Sequence, residues 1–125
     1  MATDLLQEFQ KDTMGVNHRG YELVSKFDPE YFKALKGFYA DATFAREDAA
    51  LSRKIKELIM VAVTTAKGSA RGTRVHIKRA LLCGATPKEV LEAIETATIP
   101  SGLPTLWAGI EALADELEAM GKEFS

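Results

Sequence analysis

Apolar residues return every three or four positions along almost the whole chain, and no segment reads convincingly as a strand. Leu5, Leu6 and Phe9 predict an amphipathic helix over about residues 3–13, broken by MGVNHRG with its two glycines. Tyr21, Leu23, Val24 and Phe27 suggest a short helical turn. Asp28-Pro29 is a helix start, with aspartate as cap and proline in the first helical position. Tyr31, Phe32, Leu35, Phe38 and Tyr39 follow at helical spacing, and the pattern fades near Thr43. Ser52 can cap the next helix, which carries Ile55, Leu58, Ile59, Ala62, Val63 and Ala66. Its second half, IMVAV, is apolar on nearly every side, which predicts a central helix packed all round. Gly68 and Gly72 flank the start of another, which passes through His76 to Cys83 and stops at Gly84. Thr86-Pro87-Lys88-Glu89 is a capping box opening a helix with Val90, Leu91, Ile94 and Ala97. Pro100, Gly102 and Pro104 should break it, and a last helix from about Pro104 to Met120 should turn Leu106, Ile110, Leu113 and Leu117 inward. The expected fold is all-α, a bundle of about six helices with short connections.

The 125 residues suit one domain with a core that needs no disulfide. A formal net charge of −2 gives no global basic field for nucleic acid. The single cysteine, Cys83, excludes an internal disulfide and any multi-cysteine metal site, and points to a reducing compartment. MATDLLQEFQKD carries acids and lacks the apolar stretch of a signal peptide. The longest apolar stretch, Leu58 to Val63, is too short to span a bilayer. These features predict a cytoplasmic protein without membrane or nucleic-acid partners.

Chemistry concentrates around GSARGTRVH, Gly68 to His76. Ser69, Gly72, His76, Ala80 and Cys83 are spaced to share one helical face, on which the imidazole is the only large polar group. The small residues leave room for a ligand or for the close approach of another helix. Arg71, Arg74 and Lys78, with Arg79 beside them, form the opposite stripe, which is either a solvated face or an anion funnel near His76. Glu57 stands one helix earlier, at the edge of the apolar run. It either pairs at the surface with Lys54 or Arg53, or shares a proton with His76 if the two helices pack antiparallel.

LSRKIKELIMVAV, then VHIKRALLCGATPKEVLEAI, then IPSGLP before a final helix, resemble the carboxymuconolactone decarboxylase family, which includes the AhpD-like alkyl hydroperoxidases. The resemblance covers roughly residues 30–118, leaving 1–25 as a helical extension of a single domain. In hydroperoxidase-type members the helix start carries C-x-x-C-x-x-x-H, with a glutamate twelve residues before the first cysteine. Glu57 and His76 match that glutamate and histidine; Ser69 and Gly72 stand where the cysteines would be. Without an attacking and a resolving thiol, disulfide cycling has no working parts. The decarboxylase branch also lacks the cysteine pair and keeps the histidine.

The resemblance therefore implies acid–base chemistry of lyase type on a small carboxylated metabolite, without metal or organic cofactor. His76 would donate the proton, and Glu57 would orient it or reload it. Ser69, Arg71, Gly72 and Arg74 would bind the substrate's carboxylates beside the free N–H groups at the helix start. Trp107 would line a pocket or an interface. The family also implies a homo-oligomer, trimeric or hexameric, and Tyr31, Phe32, Phe38, Tyr39, Phe44 and Trp107 either fill the core or sit between subunits. Two alternatives remain. One is a hydroperoxidase using Cys83 alone, although a thiol at a helix C-terminus is poorly placed to ionise. The other is an oligomeric protein that binds a small acid without turning it over.

Overall fold

The structure is a computed structural model, and it describes residues 2–122. The chain divides into two compact units, Met1–Ala50 and Leu51–Ser125. All regular structure among the described residues is helical.

In the first unit, α1 (Ala2–Asp12), α2 (Gly20–Phe27) and α3 (Pro29–Lys36) run into a π-helical segment, Gly37–Phe44. Asp28 caps α3 by accepting from the Tyr31 N–H at 3.1 Å, with Pro29 in the first turn as expected. The helical run ends at Phe44, next to Thr43 where the pattern fades, and before ending it widens by one residue per turn, with the Ala45 N–H closing on the Ala40 carbonyl at 2.8 Å. Phe9, Phe32 and Ala40 are buried, with Leu5, Leu6, Tyr21, Val24 and Tyr39 packed against them. The Phe9 ring meets Tyr21 and Phe32 at centroid separations of 4.7 and 5.6 Å, which are favourable aromatic distances. Helices α1 and α2 thus share a core with α3. His18, in the α1–α2 connection, is half-buried with its ring near Tyr21. Of the other rings, Phe44 is buried while Tyr31 and Phe38 are exposed.

The second unit holds α4 (Arg53–Ala66), α5 (Ala70–Leu82), α6 (Pro87–Ser101) and α7 (Leu103–Ala119). With the first unit this makes seven α-helices among the described residues, where about six were expected. Ser52 accepts from the Ile55 N–H, Ser69 from the Gly72 N–H, and Thr86 and Glu89 form the reciprocal capping box. Each satisfies donors that the first helical turn cannot. The core is Val61, Ile77, Ala80, Ala85, Val90, Ile94, Ala112, Leu113 and Leu117. Gly109 belongs to it because a β-carbon there would overlap Ile94, so α6 and α7 approach more closely than any side chain would permit.

Three expectations need correction. The central helix α4 packs on α5, α6 and α7 through Val61, yet Ile55, Ile59 and Val63 are exposed along one stripe. An apolar run has no direction of its own, and these neighbours do not enclose the helix. Pro100 lies inside α6, which ends at Gly102. A proline in the last turn removes a single helical hydrogen bond, whereas Gly102 takes φ +96°, which terminates the helix. Ile110 is exposed instead of facing inward, although Leu113 and Leu117 are buried.

Candidate functional site

The turn between α4 and α5 is short. Gly68 takes φ +75°, and the Ser69 N–H returns to the Thr64 carbonyl at 2.9 Å. Next to the turn the Thr65 and Thr73 hydroxyls meet at 3.3 Å, and further from it, two turns along α4 and about one along α5, Glu57 meets His76. The two helices are therefore an antiparallel hairpin, the arrangement on which a Glu57–His76 contact depended.

Nδ1 of His76 lies 2.8 Å from Oε1 of Glu57. The second carboxylate oxygen, Oε2, accepts from Nε of Arg53 at 2.9 Å, and Nη1 of Arg79 stands 4.0 Å from it. Glu57 is fully buried, Arg79 is 1% exposed and His76 8%. Four charged or titratable groups thus share a dry region of the α4–α5 hairpin. Electrostatic interactions are strong in such a place, and a lost partner is costly. Arg53 is one helical turn before Glu57, as one of the alternatives for Glu57 had it, but the carboxylate is internal and holds His76 as well.

Arg79 stands beside the basic stripe that the sequence leaves as either a solvated face or an anion funnel near His76. It is among the largest fully buried side chains, because the last turns of α5 rotate it towards Glu57. Its position three residues after His76 was the available signal, since residues three apart on a helix share a face. Cys83 extends the same side of α5. Burial pushes its thiol above the ordinary value, nearby Arg53 and Arg79 pull it down, and Glu57 pushes it up, with a net rise. That is the reverse of what an attacking thiolate needs.

The residues expected to bind substrate have the following surroundings. Ser69 is occupied as the cap of α5, accepting from Gly72. Arg74 pairs with Glu116 of α7 at 2.8 Å, and Arg71 is exposed. Ser69 and Arg74 line a cavity of about 340 Å³ together with Thr65, Thr73, Glu111 and Asp115. His76 and Glu57 are not in its wall, which carries the acids Glu111 and Asp115 beside Arg74. Trp107 is 58% exposed on α7. The structure thus joins Glu57 to His76 and adds Arg53 and Arg79. Of the residues expected to bind substrate, Ser69 and Arg74 line a cavity whose wall does not include the imidazole.

Comparison with known proteins agrees with the fold. The model of the carboxymuconolactone decarboxylase family matches residues 29–115. A protein of Burkholderia xenovorans LB400, provisionally named a carboxymuconolactone decarboxylase, superposes with a TM-score of 0.80 at 23% identity, covering 97% of this chain and 95% of that one. A carboxymuconolactone decarboxylase family protein of Legionella pneumophila, in its apo form, superposes with a TM-score of 0.64 at 30% identity, covering 92% and 98%. No curated protein matches the chain. The chain belongs to the carboxymuconolactone decarboxylase family. No helix among the described residues is long and apolar enough to cross a membrane.

Proposed function

We propose that the chain is a cofactor-free acid–base catalyst of decarboxylase or lyase type, acting on a small carboxylated metabolite. The observation that carries this reading is the buried 2.8 Å contact between His76 and Glu57. In the proposed reaction the bond from the substrate to its carboxylate carbon breaks and CO₂ leaves. The electron pair stays on carbon, delocalised towards a carbonyl, and a proton from the His76 imidazolium quenches it. Histidine suits that role because its ordinary pKa, about 6.5, lies near working pH. Arg71 at the open end of α5, with Ser69, Gly72, Arg74 and Trp107, is the proposed binding set for the substrate's carboxylates. The Arg74–Glu116 pair would have to open for Arg74 to take part.

The chain is proposed to work as a homo-oligomer in the cytoplasm. The exposed Ile55, Ile59, Val63 and Trp107 support assembly, since large apolar side chains at the surface often mark contacts between subunits. A thiol peroxidase reading has less support, because Ser69 and Gly72 replace the cysteine pair and burial holds the Cys83 thiol protonated.

Turnover of carboxymuconolactone and related carboxylated lactones by the wild-type chain and by His76→Ala tests the reading. A fall of at least about 100-fold is expected, the usual contribution of a positioned general acid. Unchanged turnover in His76→Ala would remove His76 from the chemistry. Binding of the lactone with no product over time would favour the non-catalytic alternative.

A further inference from the structure

Accepting His76 as the proton-transferring group, we propose that Arg53 and Arg79 act through Glu57 as positioning residues. They hold its carboxylate ionised, so that the His76 proton at Nδ1 is fixed and Nε2 is the nitrogen that gains and loses the catalytic proton. The argument begins at the carboxylate. Its Oε1 faces His76 Nδ1 at 2.8 Å, and its Oε2 faces Arg53 Nε at 2.9 Å with Arg79 Nη1 at 4.0 Å. Two descriptions fit a 2.8 Å contact between a carboxyl group and an imidazole. Either an ionised Glu57 accepts from Nδ1–H, or a protonated Glu57 donates to a bare Nδ1, leaving the ring proton on Nε2.

The arginines distinguish the two. A guanidinium is permanently charged and can only donate. Oε2 therefore cannot carry a hydrogen towards Arg53. Neutralising Glu57 through Oε1 would strip two cations, one of them fully buried, of the negative charge that they share. The ionised form is favoured, and His76 must donate from Nδ1. Glu57 then orients His76 but does not reload it. The proton delivered from Nε2 is replaced at Nε2, and Glu57 stays anionic throughout. Cys83, the further titratable group facing this cluster from α5, remains a thiol and supplies no competing charge.

Substituting Glu57→Gln gives this proposal a distinctive test, because an amide has one acceptor and one donor end. With Arg53 donating to the position of Oε2, the amide oxygen must turn that way and the NH₂ must face His76. Nδ1 must then accept, and the neutral ring flips to its Nε2–H form. If the arginines did not govern this group, the amide oxygen would be free to face His76 and the tautomer would stay as it was.

The measurement is long-range ¹⁵N–¹H correlation of the imidazole rings in ¹⁵N-labelled full chain, taken at a pH where the ring nitrogen shifts report the neutral ring. The chain has two histidines, and His18→Gln leaves His76 as the single signal. The expected result is about a tenfold or greater excess of the Nδ1–H form in the His18→Gln chain, inverted in the Glu57→Gln double variant. An Nε2–H ring before the Glu57 change, or an Nδ1–H ring after it, overturns the proposal. If Glu57→Gln does not fold, Arg79→Gln read by the same spectra replaces it. The Nε2–H share should then at least double and should fall back in Arg79→Lys, and an unchanged share overturns the proposal. The tautomer is read without substrate. A chain that shows the inversion but turns over no carboxylated lactone would support this inference and defeat the function proposed above.

Discussion

Lys36 and Glu57 are both buried charges with three partners, one in each unit, and they are built in opposite ways. Lys36 is 4% exposed and its ammonium reaches Asp41 at 2.7 Å, Glu8 at 3.2 Å and Asp12 at 3.8 Å. Two of those acids, Glu8 and Asp41, have side chains more than half exposed, so water shares the work of solvating them. Glu57 is the mirror image: one anion among Arg53, His76 and Arg79, whose side chains are all mostly buried. The difference is in where a partner can go. An exposed carboxylate whose cation is removed turns to water, whereas a buried guanidinium whose anion is removed must stay where it is. The first arrangement is tolerant; the second is constrained, and a constrained cluster is the better place to hold a proton at a chosen atom.

The largest expected effect follows directly. Glu57→Ala should cost about 3–5 kcal/mol of unfolding free energy in urea titration, the usual penalty for removing one member of a buried charged set. A cost below about 1 kcal/mol would show that water reaches the cluster, and the contrast with Lys36 would collapse. Lys36→Met should change stability by no more than about 1 kcal/mol, since its acids become hydrated and the methionine keeps most of the buried volume. A cost comparable to that of Glu57→Ala would make the two clusters alike.

The pH dependence sharpens the comparison. Burial works to lower the Lys36 ammonium's pKa, but hydrogen bonds and charge from Asp41 and Glu8 outweigh it and hold it above the ordinary value of 10.5. A raised folded pKa means that the cation binds its proton more tightly in the folded chain. Its contribution is therefore fully present below 10.5 and is lost as pH rises through the higher folded value. Urea midpoints of wild type and Lys36→Met should keep a constant separation up to about pH 10 and then shift in favour of the variant as that contribution is lost. A separation that already changes near neutrality would contradict this. The smallest effect concerns Cys83. Its raised thiol should react with a disulfide reagent several-fold more slowly than free cysteine at about pH 8, a direct report of how dry that side of α5 is. Reaction at the free rate would show that the thiol lies outside the dry region.

Much of the helix layout was legible in the sequence, and the reason appears in particular residues. Asp28, Ser52 and Thr86 each bond a backbone N–H three residues ahead, so the partner is written next to the cap. The candidate site was legible in part. Glu57 and His76 were marked by their match to a known pattern, and the contact between them required only that α4 and α5 form a hairpin. Arg79 was not resolved by the sequence, because a basic residue beside Arg71, Arg74 and Lys78 fits a solvated face as well as a funnel near His76 until its neighbours are known, and it is buried. Arg74 shows the same limit from the other side, since its partner Glu116 lies 42 residues away. The exposed stripe of α4 and the inclusion of Pro100 in α6 were missed for related reasons. Periodicity says which side chains share a face but not whether anything covers that face, and proline's effect depends on which turn of the helix it occupies.

What the sequence determined by itself is the set of helices, their caps and most of their ends. Those depend on hydrogen bonds and torsions spanning three to five residues, which the local chain supplies wherever it folds. Only the tertiary structure decided that Glu57 is dry, that Arg53 and Arg79 share it with His76, and that Arg74 is engaged elsewhere. Desolvation and long-range pairing belong to no single residue. They arise when segments far apart in the chain exclude water from the same place, and that exclusion turns an ordinary glutamate, histidine and two arginines into a candidate site.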